Sequence, residues 1–328
     1  MIPYTRKTLP NGLTVVVNRD RASKLAAVNI LYRVGARNEN PARTGFAHLF
    51  EHLMFRGTRA VENFDLPVQM ASGDNNAFTN NDYTDFYITL PKDNLETALW
   101  LESDRMEGLD ITPAKLEAEK KVVIEEFRQR YLNQPYGDQT MLLRALAYKV
   151  HPYRWAAIGL ATDHIAGATL ADVESFYRAH YRPSNAILSI SADMEEERML
   201  ELAEKWFAPL ADHPSETAAI PQEPVQTQAR RQEVERDVPA STVTVAYHMC
   251  ARTKLDFYTA DLVSDLLSGG DSGRLYTHLV KERNLLSSVN AYITGDVDPG
   301  LFVFTGQLLP GVTPEAAEAA FREEIEAL

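Results

Sequence analysis

The chain has 328 residues, 45% of them hydrophobic and 24% charged, and a net charge of −13 at pH 7. This composition supports more than one folded core, is too polar for a membrane-spanning protein, and argues against nonspecific nucleic-acid binding. Cys250 is the single cysteine, which excludes an internal disulfide.

The opening Met1-Ile2-Pro3-Tyr4 runs directly into a strand-like segment, with neither a secretory nor a transit leader in view. A cytoplasmic location is expected on that basis, or a periplasmic one if a signal has been removed. Strands are expected near residues 12–18 and 26–34. A helix comes next, near 44–56, where Phe46, Leu49, Phe50, Leu53 and Met54 recur as one apolar stripe and Gly57 is the expected stop. At roughly 100° per residue, His48, Glu51 and His52 gather on the opposite face, with the two imidazoles one turn apart. Two imidazoles so spaced can share a zinc ion, with a carboxylate beside it as a base. On an isolated helix the same three residues would be an ordinary solvated face.

A catalytic zinc needs a third protein ligand and an open position for water. After a strand near 83–90 and a helix near 92–107, Thr112 as N-cap and Pro113 at the first helical position open a long helix near 113–131. Glu126 on that helix is the expected third ligand. Glu119, seven residues earlier, shares its face and can support the site from behind. A strand near 186–192 and a helix near 195–206 complete an α+β pattern. The stretch from Pro209 to Gln228 then breaks the periodicity and reads as a linker.

Beyond that linker the chain repeats its beginning. Ala26–Arg37 aligns without gaps on Ser241–Arg252, with Val28/Val243, Tyr32/Tyr247, Ala36/Ala251 and Arg37/Arg252 identical. The same register puts Val263-Ser264-Asp265-Leu266-Leu267 where His48–His52 stand, so the second copy is expected to have no metal chemistry. The expected organisation is a zinc-binding domain at 1–212, a linker at 213–235 and a second, shorter homologous domain at 236–328 with a half-built core. The fold class is α+β with duplicated domains, each a mainly antiparallel sheet packed against helices.

The helix motif together with Glu119-Lys-Lys-Val-Val-Ile-Glu-Glu126 resembles the pitrilysin and mitochondrial processing peptidase family of inverted-motif zinc peptidases. Leu9-Pro10-Asn11-Gly12-Leu13, Asn76-Ala77-Phe78-Thr79, and Tyr148 with His151-Pro152-Tyr153 and Gly159 extend the resemblance along residues 1 to about 310. It implies that His48, His52 and Glu126 bind Zn2+, that Glu51 is the general base, and that Glu119 is the supporting catalytic carboxylate. It also implies that Asn76, Ala77 and Phe78 lie on the strand that pairs with an extended peptide, so that unfolded peptides are the substrates.

Self-sufficient relatives carry an Arg and a Tyr, seven residues apart, in the second domain; here Val280 and Ser287 occupy those positions. The resemblance therefore implies the zinc subunit of a heterodimer whose homologous partner supplies that pair, or a homodimer. Arg283 or Tyr292 is the competing source after a register shift. A noncatalytic, substrate-presenting subunit is the other functional class, against which the intact His48, Glu51, His52 and Glu126 argue.

Overall fold

The computed structural model describes residues 2–213 and 219–328. In chain order the first elements are β1 (Thr5–Thr8), β2 (Thr14–Arg19), β3 (Leu25–Tyr32), α1 (Phe46–Leu53), α2 (Asp65–Met70), β4 (Asp74–Thr79), β5 (Thr84–Pro91), α3 (Leu95–Glu107) and α4 (Pro113–Phe127). A π-helical turn, Arg128–Leu132, continues α4. Then come α5 (Gln139–Ala147), α6 (Thr162–Ala166), α7 (Leu170–His180), β6 (Ala186–Ala192), α8 (Glu196–Phe207), β7 (Thr242–His248), α9 (Leu255–Ser268), β8 (Leu286–Ile293), β9 (Leu301–Leu308) and α10 (Pro314–Glu326).

These elements form two compact units. The first comprises residues up to Arg130 together with Val150–Pro224; the second comprises Tyr131–Lys149 and Val225–Leu328. The division departs from the expected chain-order boundaries, because the segment carrying α5 leaves the first unit and packs with the second. Gln139 on α5 hydrogen-bonds Thr305, and the Tyr136 hydroxyl donates to the Ala240 carbonyl at 2.7 Å. Of the expected linker, 214–218 lie outside the described residues, and 219–235 contain neither helix nor strand.

In the first unit a six-stranded sheet runs β1-β2-β6-β3-β5-β4, antiparallel except for the β2–β6 pair. Period-2 alternation sends Ala26, Val28, Ile30 and Tyr32 of β3 inward, where they are fully buried. Helices α3 and α8 pack on the sheet, and α1 packs on β4, β5, α4 and α7. Among the described residues, edge strand β4 pairs with β5 alone.

The second unit repeats part of this layout. Its sheet, β7-β9-β8, has the order of β3-β5-β4, and both its pairings are antiparallel. The ladder runs Asn29↔Tyr87↔Asn76 in the first sheet and Thr244↔Thr305↔Asn290 in the second. That register brings Asn290-Ala291-Tyr292 onto Asn76-Ala77-Phe78, and helix α9 carries Val263–Leu267 at the place of the histidine motif. Leu267, Leu275, Leu279, Leu286, Phe304 and Phe321 form its core. Leu255, Tyr258, Leu262 and Leu266 make an exposed apolar stripe along α9.

Candidate functional site

The site is built on α1, whose apolar stripe (Phe46, Leu49, Phe50, Leu53) is almost wholly buried. The helix begins at Gly45, which is left-handed at φ +88, and a Cβ there would lie 2.5 Å from the Ile158 carbonyl oxygen. It ends at Leu53, so Gly57 is not its stop; Gly57 lies beyond the turn that follows, at φ +97. Glu39 anchors the first turn. Its carboxyl oxygens accept from the Gly45 and Ala47 N–H groups, each at 2.9 Å, and from Trp155 Nε1 at 3.1 Å. Burial pushes Glu39 up to about 8 against the pull of these hydrogen bonds. Sequence reasoning missed both Glu39 and Trp155, because a cap six to eight residues ahead of its N–H groups lies outside the spacing of three that marks a capping box.

Helix α4 packs across α1 and brings Glu119 and Glu126 to the histidines. Glu126 Oε2 lies 3.3 Å from His52 Nε2 and 3.7 Å from His48 Nε2. Among the described residues, this trio is the group whose donor atoms could share a metal ion. Zinc bonds of about 2.0–2.1 Å at tetrahedral angles put ligand atoms about 3.4 Å apart, close to the 3.3 and 3.7 Å observed from Glu126 to the two imidazoles. The donor set, two imidazoles and a carboxylate, also suits a zinc site with an open position. On the far side of the ring, His52 Nδ1 lies 3.4 Å from Glu119 Oε2, which favours the tautomer with Nε2 free to ligate. Glu119 is 1% exposed and is held in turn by the Arg56 guanidinium.

The electrostatics follow from this packing. Burial lowers the His48 pKa to about 4, helped by the neighbouring His52. Burial also opposes protonation of His52, but hydrogen bonds to Glu119 and Glu126 outweigh it and carry its pKa up to about 9. The hydrogen bond from His52 holds Glu126 below the ordinary carboxyl range. Without metal, the site thus keeps one proton on His52 between two carboxylates. Burial raises Glu51, against a hydrogen bond from Thr79 of β4. Glu51 Oε2 is buried with no hydrogen-bond partner, as a base awaiting a proton would be.

The expected substrate strand is β4. Along it Asn76 is exposed, Ala77 partly buried and Phe78 42% exposed. Asn76 Oδ1 accepts from the Ala77 N–H at 2.8 Å, a donor that an incoming strand would have to take over. In the second unit, Val280 packs against the core and Ser287 hydrogen-bonds Gln307, so neither offers the chemistry of an Arg and a Tyr. Arg283 is engaged by Glu323 at 2.7 Å, and Tyr292 is half-buried with its pKa raised by burial. Two of the other histidines have structural partners: His151 Nδ1 accepts from the Tyr153 N–H, and His278 pairs with Glu324.

Residues 14–155 match the family description "Insulinase (Peptidase family M16)", and residues 167–328 match "Peptidase M16 inactive domain". The chain is 33% identical over 327 residues to the zinc protease PqqE of Helicobacter pylori, covering 98% of this chain and 72% of that protein. It is 25% identical over 315 residues to a probable mitochondrial-processing peptidase subunit beta of Arabidopsis thaliana, covering 92% of this chain and 59% of that protein. The crystal structure of a protease from Helicobacter pylori superposes with a TM-score of 0.92 at 32% identity, covering 99% of this chain and 80% of that one. With the two descriptions dividing the chain between them and a relative matched along nearly all of it, the chain belongs to peptidase family M16.

Proposed function

We propose that the chain is a zinc-dependent endopeptidase subunit that hydrolyses unfolded peptides, with His48, His52 and Glu126 as ligands and Glu51 as general base. The observation that carries this reading is the convergence of three donor atoms beside a buried, unpartnered carboxylate oxygen. Bound zinc supplies a Lewis acid that acidifies water and polarises a carbonyl. Glu51 takes the proton of the attacking water at Oε2 and delivers it to the leaving amine. Glu119 holds the His52 ring in its ligating orientation. The free edge of β4 pairs with the backbone of an extended peptide through Asn76, Ala77 and Phe78, which selects unfolded segments over folded ones.

Because Val280 and Ser287 stand where an Arg and a Tyr are expected, the working unit includes a homologous partner that supplies them, or a second copy of this chain. The zinc-loaded chain, incubated with an unstructured peptide and monitored by mass spectrometry, is expected to give slow, chelator-sensitive internal cleavage. A homologous subunit bearing the pair is expected to accelerate it. Fast turnover by the chain alone would remove the partner from the account. No internal cleavage under either condition would favour the noncatalytic, substrate-presenting reading.

A further inference from the structure

We infer that Arg130 is a positioning residue that holds Glu126 as a one-oxygen ligand, an inference that rests on the zinc site proposed above. The two oxygens of Glu126 face different partners. Oε2 is turned toward both imidazoles, whereas Oε1 lies 3.0 Å from Arg130 Nη2. A carboxylate that gave both oxygens to a metal would crowd the position a hydrolytic site must leave for water. With Oε1 committed to a guanidinium, Glu126 has one oxygen left to give.

Arg130 sits where α4 widens into the π-helical turn, a departure from regular helix that recurs at functional sites. Two other polar residues of the turn point elsewhere: Arg128 pairs with Glu125 at 3.7 Å, and Gln129 donates to the same carboxylate at 3.4 Å. Arg130 is therefore the cation that this turn delivers to Glu126. An ordinary exposed i,i+4 ion pair would have no bearing on the metal.

The test compares wild type, Arg130→Ala and Arg130→Lys as full-length chains. Zinc affinity is read by chelator competition, the visible absorption of the cobalt-substituted protein reports coordination number, and thermal unfolding of the metal-free chains serves as control. The Arg130 side chain is 66% exposed, so the control is expected to be unchanged. Arg130→Ala is expected to weaken zinc binding roughly 10- to 100-fold and to dim the cobalt bands as four-coordination gives way to five; Lys, a single-point cation, recovers part of the affinity. An Arg130→Ala protein with wild-type zinc affinity and an unchanged cobalt spectrum would overturn the inference and leave the zinc site standing. A folded wild type that bound no zinc would overturn the site and the inference together.

Discussion

Glu51→Gln is expected to leave about one zinc per chain in place and to slow peptide cleavage by roughly 10²–10⁴-fold, the usual worth of a positioned base. The substitution keeps size and hydrogen-bonding capacity but removes the group that takes the proton. None of the three metal-facing atoms, His48 Nε2, His52 Nε2 and Glu126 Oε2, belongs to Glu51, so elemental analysis should not distinguish the variant from wild type. The setting of the proposed proton acceptor is well defined. Glu51 Oε2 is buried without a partner, and burial lifts its pKa toward the operating range. Retained cleavage in a zinc-loaded Glu51→Gln protein would remove Glu51 from the mechanism. Loss of zinc would show that the residue acts on the site's structure instead.

The second large effect concerns the ion pair beneath the site. Arg105 donates to both oxygens of Glu102, at 2.7 and 2.6 Å, and both side chains are fully buried. The guanidinium also lies over Phe86 at 4.1 Å and Phe64 at 4.5 Å, close to Phe55, two residues beyond the end of α1. Arg105→Ala leaves a carboxylate in an apolar pocket and is expected to cost about 3–5 kcal/mol, read by urea unfolding. The double variant Glu102→Leu/Arg105→Met removes both charges at similar volume and is expected to recover most of that loss. A single variant within about 1 kcal/mol of wild type would mean that Glu102 is held neutral and the pair is no salt bridge.

Sequence legibility differed from residue to residue, for physical reasons. The α1 motif was readable because helical periodicity alone separates Phe46, Leu49, Phe50 and Leu53 from His48, Glu51 and His52, and the structure buries the first set. Glu119 and Glu126 were readable because a seven-residue spacing keeps two side chains on one face; the structure sets one at each end of the His52 ring. Glu102 and Arg105 were not singled out, since an i,i+3 pair of opposite charges looks the same on a surface helix as in a core. Arg130 was equally silent: one turn from Glu126, it reads as a solvated cation until the orientation of that carboxylate is known. The placement of α5 was the hardest to foresee. No helix is expected from the sequence at Gln139–Ala147, and nothing in that segment says which of two cores it serves.

The most direct test of the zinc site is calorimetric titration of zinc into the metal-free chain at pH 7.5, in two buffers of different ionisation enthalpy. In the metal-free site His52 has a pKa of about 9 and is protonated at this pH, whereas His48, lowered to about 4, is neutral. Zinc must therefore displace the His52 proton, and its affinity should rise with pH until about pH 9. The account predicts about one zinc bound per chain with at least one proton released, from His52 and in part from zinc-bound water, and no binding to His52→Ala. A folded wild type that takes up no zinc, or that binds it equally well after His52→Ala, would contradict it.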